Sequence, residues 1–112
     1  MNKLLGKSET RIPRIPHKEE LASFLLSYKT CNEEINMQEL LKKNFCAIEY
    51  SEEELFIGEM IGKHKNGVGV LITEKSCFEG EWKNNQKTKG IEITQEGVYK
   101  GYYENNLRNG SG

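Results

Sequence analysis

One short motif occurs three times in the second half of the chain. The copies are Phe56-Ile-Gly58-Glu-Met60, Phe78-Glu-Gly80-Glu-Trp82 and Tyr99-Lys-Gly101-Tyr-Tyr103. Each copy has an aromatic residue, a glycine two positions later and a large apolar residue two positions after that. The glycines, at positions 58, 80 and 101, are 22 and 21 residues apart. A fixed period of this length indicates a stacked repeat whose units bury their apolar side chains against one another.

The residues around each motif alternate in a way that predicts β-strands. Phe56, Gly58 and Met60 fall on one face of a strand, because successive side chains point to opposite faces. Asn66-Gly67, beside alternating apolar residues, predicts a hairpin turn. We predict turns over residues 62–67, 84–89 and 105–110 and return strands over 68–73 and 90–94, and we expect the third unit to lack its return strand. Residues 55–112 are therefore predicted to form a single-layer antiparallel meander.

The paired glycines and aromatic residues suggest how such a sheet builds a core. Glycine alone weakens a strand, but beside an aromatic residue it leaves a slot in which the ring can lie across the backbone. We predict two aromatic or apolar rows, one of Phe56, Phe78 and Tyr99 and the other of Met60, Trp82 and Tyr103. On the opposite face, Glu79, Glu81 and Lys83 are predicted to face water, whereas Leu55, Ile57 and Ile61 need a cover.

The first half of the chain predicts that cover. Residues 1–16 form a basic, Pro-containing arm; residues 17–54 form a helical cap and connector; residues 55–112 form the repeat sheet. One helix is predicted over His17–Tyr28 and a second from Asn36 to about Asn44, with Asn36 as its N-cap and Phe45 on its apolar side. Residues 45–50 have strand-like content and lead into the sheet. The predicted fold class is α+β, with two short N-terminal helices that cap the meander.

The motif resembles the MORN (membrane occupation and recognition nexus) repeat, whose unit is Tyr-x-Gly-x-Trp, a polar turn and Gly-x-Gly. The first copy continues with Gly67-Val-Gly69, the second with Gly90 and the third with Gly110-Ser-Gly112, which makes the third copy incomplete. The resemblance covers residues 55–112. It implies a scaffold or adaptor role through protein–protein interaction, in a cytoskeletal or ciliary (axonemal) setting. It also implies two alternatives, namely a peripheral phospholipid-binding module and a targeting or regulatory subunit of an enzyme complex.

Composition argues against several other classes of function. The net charge is −1 and the basic residues form no stripe, which disfavours nucleic-acid binding. The three cysteines are odd in number and form no CxxC pair, so we expect a reducing, cytoplasmic compartment and no disulfide framework. The chain contains no aspartate, and its two histidines are far apart in sequence. We therefore expect no catalytic residues, no metal site and no cofactor.

Two surfaces are predicted to bind a protein partner. The first combines the aromatic rows with an open edge at the last strand: Phe56, Phe78, Trp82, Tyr99, Tyr102 and Tyr103. An exposed strand edge can pair with a strand of a partner, or with a second copy to give a homo-oligomer. The second surface is the arm, with Ile12 and Ile15 as anchors in a partner's groove and Arg14 between them. A disordered tail is the alternative for the arm.

Overall fold

A computed structural model describes residues 12–108 of the chain. A 3₁₀ turn at Lys18–Glu20 leads into the first of two short helices, α1 (Leu21–Ser27), and the second is α2 (Met37–Leu41). The seven strands are β1 (Cys46–Tyr50), β2 (Glu54–Ile61), β3 (His64–Thr73), β4 (Ser76–Lys83), β5 (Gln86–Thr94), β6 (Gly97–Glu104) and β7 (Leu107–Arg108).

The strands pair antiparallel in chain order, β1 to β7, in one sheet. The predicted α+β class and the single-layer antiparallel meander are confirmed. Residues 45–50 also form a strand as predicted, because Cys46–Tyr50 pairs with β2.

The predicted turns begin at the right residues but are shorter than expected. Only two residues separate β2 from β3, β4 from β5 and β6 from β7, and Asn66-Gly67 lies inside β3. The last two of these turns are Asn84-Asn85 (φ 51° and 70°) and Asn105-Asn106 (φ 55° and 64°). Tight hairpins need positive φ at both central residues, and asparagine tolerates that conformation better than other non-glycine residues. The third unit also has the start of a return strand, β7, contrary to our prediction.

The predicted helices are present but shorter. The first predicted helix, His17–Tyr28, is divided into the 3₁₀ turn and α1. Asn36 caps α2 as predicted, because its side chain accepts a hydrogen bond from the Glu39 amide at 3.0 Å. This helix ends at Leu41, and Phe45 is 70% exposed instead of lying on its apolar side. The chain has already turned towards β1, where Cys46 donates its amide hydrogen to the Lys43 carbonyl at 3.2 Å.

Apolar side chains are buried on both faces of the sheet. On one face, here the helix face, Leu55 and Ile57 are fully buried and pack in one cluster with Ile35, Met37 and Leu40 of the N-terminal segment. The predicted cover is therefore confirmed for Leu55 and Ile57. It does not extend to Ile61, which is 63% exposed near the end of β2. The other face, here the aromatic face, holds a second cluster built on Phe56, Phe78, Trp82 and Tyr103.

Candidate functional site

A row of glycines runs across five strands of the sheet. Gly58, Gly69, Gly80, Gly90 and Gly101 pair in register from β2 to β6. We call this row the glycine ladder. A Cβ atom built on Gly58 would lie 2.6 Å from the tip of the Phe56 ring, and one built on Gly80 would lie 2.6 Å from the tip of the Phe78 ring. The glycines are thus required by rings that lie across the backbone, as the sequence predicted.

The rings themselves form one chain instead of two separate rows. Phe56 meets Trp82 edge to face at 5.6 Å, and Trp82 meets Phe78 in the same way at 5.2 Å. Phe78 then meets Tyr103 at 5.2 Å, and Tyr103 meets Tyr99 at 5.6 Å. The two predicted rows therefore interleave, because edge-to-face contacts are favoured between rings at these separations.

Three cations lie over these rings at the same period. The ammonium of Lys65 is 4.9 Å from the centre of the Phe56 ring, and that of Lys87 is 5.0 Å from the centre of Phe78. The guanidinium of Arg108 is 4.7 Å from the centre of Tyr99. Positions 65, 87 and 108 are again 22 and 21 residues apart. Our sequence reasoning missed these residues, although the period that located the glycines also locates them.

Glu92 connects the last two of these cations. It accepts hydrogen bonds from the Tyr103 hydroxyl at 2.8 Å and from Nε of Arg108 at 3.2 Å, and its other oxygen is 3.9 Å from Nζ of Lys87. Burial and the neighbouring carboxylate raise the pKa of Tyr103. The Tyr103 hydroxyl therefore stays protonated and acts as a donor.

Four of the six predicted partner-binding aromatic residues are core residues. Phe56, Phe78, Trp82 and Tyr103 are each less than 10% exposed. Tyr99 packs against the same cluster and is half-buried. Tyr102 differs, because it points to the helix face and is 59% exposed. In this structure the aromatic face is a packed layer, and Tyr102 is the most exposed of these six residues.

Along β6, the backbone groups that face away from β5 have few partners among residues 12–108. β7 pairs only with Tyr103 and Glu104, and Glu104 and Leu107 close the two-residue turn. The closing pair of such a hairpin is hydrogen-bonded, and the direction of backbone groups alternates along a strand. The N–H and C=O groups of Val98, Lys100 and Tyr102 therefore point away from β5. Among residues 12–108, only the carbonyl of Tyr102 has a partner, which is the Tyr99 hydroxyl at 3.0 Å.

A groove of about 510 Å³ lies on the helix face beside this edge. One wall is formed by residues 31–35 of the N-terminal segment. The floor and the other wall are formed by the helix-face side chains of β4 to β6: Glu81, Lys89, Ile91, Lys100 and Tyr102. Lys100 and Tyr102 of β6 thus belong to the lining of this groove.

The arm packs on the protein's own core. Ile12 and Ile15 are half-buried against the helix-face cluster, and the Tyr50 hydroxyl donates to the Pro16 carbonyl at 2.7 Å. Arg14, between the two isoleucines, is exposed. That these isoleucines anchor the arm in a partner's groove stays a prediction. Residues 1–11 of the predicted arm lie outside the described residues.

Glu79 forms a buried polar cluster that we did not predict. Although its position in β4 suggested a solvent-facing side chain, it is fully buried under the N-terminal segment. One carboxylate oxygen accepts the amide hydrogens of Cys31 (2.7 Å) and Asn32 (2.9 Å). The other accepts the Tyr28 hydroxyl at 2.5 Å, and that hydroxyl is also 3.2 Å from Sγ of Cys77. Glu79 therefore ties the loop after α1 to the centre of the sheet.

Burial dominates the protonation equilibria in this cluster. It raises the pKa of Glu79, and the three hydrogen bonds to the carboxylate offset only part of that effect. Burial raises the pKa of the Cys77 thiol to about 12, so this sulfur is a packed thiol and not a reactive thiolate. The cluster contributes to the attachment of the helical cap, and we assign no chemistry to it.

Within residues 12–108, no group of three or more His, Cys, Asp or Glu side chains is arranged to hold a metal ion. None of the helices in this part of the chain is long and apolar enough to cross a membrane. The chain was also compared with known proteins. No protein-family model matches it, and a search of curated protein sequences gave no significant match.

Proposed function

We propose that this chain is a non-catalytic adaptor of MORN type, which acts in a larger assembly by pairing β6 with an extended strand of a partner protein. The observation that supports the proposal best is the run of outward backbone groups at Val98, Lys100 and Tyr102. Unpaired strand edges are templates for another strand, and main-chain hydrogen bonds supply much of the affinity in this type of recognition. A cytoplasmic setting rests on the cysteine content, and a cytoskeletal or ciliary setting rests on the motif's resemblance to MORN repeats.

The opposite edge of the sheet, β1, is a poorer site. Ser51 donates its amide hydrogen to the Glu54 carbonyl in the β1–β2 loop, so the outward amides of β1 are those of Cys46, Ile48 and Tyr50. The Cys46 amide is already bonded to the Lys43 carbonyl. β1 is also only five residues long. Within residues 12–108, the longer uninterrupted edge is therefore at β6.

A pair of proline variants tests this assignment. Tyr102→Pro removes one outward N–H from β6 and leaves the hydrogen bonds to β5 in place, because proline is tolerated where the N–H faces solvent. Ile48→Pro makes the matched change at β1. Tyr102→Pro should capture at least about tenfold less partner protein than the wild type does. Ile48→Pro should capture as much as the wild type. Equal capture by both variants, with unchanged folding, would contradict the proposal.

The phospholipid-binding alternative has less support. The cations on the aromatic face, Lys65, Lys87 and Arg108, lie over rings, and the last two also contact Glu92. Attraction to an anionic membrane needs several free, clustered cations. Co-sedimentation with phosphatidylserine vesicles at physiological salt would favour that alternative, and co-purification of an enzyme activity would favour a regulatory subunit.

A further inference from the structure

We propose that residues 28–34, here the strap, lie closed on the sheet while Glu79 holds a proton and open from it once Glu79 is ionised. Residues 31–35 form one wall of the groove on the helix face, so opening of the strap removes most of that wall. The role is conformational and includes no catalytic step. It does not depend on strand pairing at β6, because the contacts that carry it lie between the strap and β4.

The strap is attached to the sheet through one residue of β4. The Glu79 carboxylate accepts the Tyr28 hydroxyl at 2.5 Å and the amide hydrogens of Cys31 and Asn32 at 2.7 and 2.9 Å. The side-chain amide of Asn32 also donates to the Glu79 carbonyl at 2.9 Å. Four hydrogen bonds from the strap therefore converge on Glu79, and its carboxylate receives three of them.

The strap has its own internal hydrogen bonds and a firm anchor on one side. The Thr30 hydroxyl donates to the Ile35 carbonyl at 2.7 Å, and the Ile35 amide donates to the Asn32 carbonyl at 3.0 Å. After the strap, Ile35, Met37 and Leu40 are each less than 10% exposed. Before it, α1 contains no buried residue. Because segments with few buried contacts open at the lowest free energy, the strap can detach while α2 stays in place.

Uncharged groups surround the Glu79 carboxylate, which is fully buried. Its donors are two amides and a phenol, and Sγ of Cys77 is 3.2 Å from the Tyr28 oxygen. Its neighbours across β3 and β5 are Val70 and Ile91. Burial raises the pKa of the Cys77 thiol to about 12 and also raises the pKa of the Tyr28 phenol, so both groups stay neutral while Glu79 titrates.

The charged side chains of the adjoining strands are directed elsewhere. Glu81, two residues along β4, forms an ion pair with Lys89 at 3.6 Å, and Glu92 of β5 points to the aromatic face. The other titratable groups of the strap are exposed: Cys31, Glu33 and Glu34. Ionisation of Glu79 thus places a charge in a buried site where hydrogen bonds replace only part of its hydration.

The direction of the switch follows from these contacts. The carboxyl group is hydrated when the strap is open, so the closed state binds the Glu79 proton more tightly than the open state does. Above the ordinary glutamate pKa, closure therefore weakens as pH rises, and the effect levels off above the raised value. The ratio of open to closed strap rises by at most about tenfold per pH unit in this window. Acid closes the strap, and higher pH favours its opening.

Hydrogen exchange of the full-length chain, measured at residue resolution, tests the proposal. The amides of Cys31 and Asn32 report on the strap, and the amides of β3 and β4 report on unfolding of the whole chain. Each observed rate is compared with the intrinsic rate at the same pH. The strap amides should be less protected than the strand amides at every pH. From the ordinary glutamate pKa to about pH 8, protection of the strap amides should fall, by up to about tenfold per pH unit.

Two variants separate Glu79 from other titrating groups. Glu79→Gln keeps hydrogen-bonding groups at this position without a charge, so the protection of its strap amides should not depend on pH. Glu81→Gln changes a side chain on the same face that is 46% exposed. Its strap amides should follow the wild type.

Constant protection of the wild-type strap amides, within about twofold across this pH range, would overturn the proposal. The same pH dependence in Glu79→Gln as in the wild type would also overturn it. Equal protection of strap and strand amides at every pH would contradict it as well, because the strap would then open only when the whole chain unfolds. The wild-type measurement decides the matter even if the glutamine variant does not fold, and none of these results bears on strand pairing at β6.

Discussion

Replacement of Glu79 by glutamine should change the pH dependence of stability, with little effect on the fold. In Glu79→Gln, the amide oxygen can still accept the hydrogen bonds from Cys31 and Asn32. The new amide nitrogen can donate to the Tyr28 oxygen, and the Tyr28 hydroxyl can then donate to Sγ of Cys77, 3.2 Å away. Glutamine therefore reproduces the hydrogen bonding of the protonated carboxyl group.

The sign of the effect follows from the raised pKa of Glu79. Between the ordinary glutamate pKa and the raised value, the folded state binds more protons than the unfolded state. The free energy of unfolding of the wild type therefore falls as pH rises through this window, by at most about 1.4 kcal/mol per pH unit. The glutamine variant lacks this contribution. Relative to the wild type, it should be about equal in stability below the ordinary pKa and more stable at neutral and alkaline pH.

Alanine at the same position should be strongly destabilising. Glu79→Ala leaves the part-buried amide of Cys31 and the buried amide of Asn32 without an acceptor, at about 1–3 kcal/mol each with the first near the lower end, so we expect a loss of roughly 3 kcal/mol. Glu81→Ala is the matched control, because Glu81 lies two residues away on the same face with its side chain 46% exposed. It should cost less than about 1 kcal/mol.

Urea unfolding followed by fluorescence of Trp82, the single tryptophan, measures all three variants at several pH values. If the difference in stability between Glu79→Gln and wild type stays constant from acid to alkaline pH, Glu79 does not titrate with a raised pKa. If Glu79→Ala is no more damaging than Glu81→Ala, the tie between the loop after α1 and β4 is not a structural feature of the protein.

Three further substitutions test the repeat architecture, each by urea unfolding. Gly80→Ala should destabilise the fold by about 2 kcal/mol or more, because the new Cβ would lie 2.6 Å from the Phe78 ring. A neutral result would contradict the claim that the glycine ladder is required by the packing of the rings. Asn85→Ala should lower the free energy of unfolding by about 1–2 kcal/mol, because Asn85 has a φ of 70° and accepts the Lys65 amide hydrogen at 2.7 Å. A loss below about 0.5 kcal/mol would count against this account of the turn. Lys87→Met should lower the free energy of unfolding by about 1 kcal/mol, because it removes the contacts of the Lys87 ammonium with Phe78 and Glu92. The control Lys83→Met, at an exposed position, should be neutral. Equal losses in the two variants would refute the role of the Lys87 ammonium.

The period and the alternation of residues predicted most of the sheet. The spacing of Gly58, Gly80 and Gly101 located three strands and the face on which the rings pack. The first turn was predicted too long because Asn66-Gly67, a strong turn signal, lies within β3, where Gly67 has a φ of 115° and the register with β2 shifts. The Glu59 side chain binds the Val68 amide at that irregularity. Such a local exchange of backbone for side-chain hydrogen bonds leaves no pattern in the sequence.

The site was harder to predict than the sheet. Alternation placed Glu79 on the face opposite the rings, which is correct, but it could not show that residues 28–32 cover that part of the face. That contact joins segments about fifty residues apart in sequence. The packing of the arm was missed for the same reason, since Ile12 and Ile15 pack on a core whose position depends on the whole fold. The position of Tyr102 on the last long strand, by contrast, follows from local order alone.

The open edge of β6 is the central claim, and residue-resolved hydrogen exchange of the isolated monomer tests it most directly. The amides of Val98, Lys100 and Tyr102 point outward and should exchange rapidly, whereas those of Tyr99 and Gly101 point to β5 and should be protected by at least about a hundredfold more. On addition of a partner strand the outward amides should become protected. Uniform protection along Val98–Tyr102 in the isolated monomer would contradict the account.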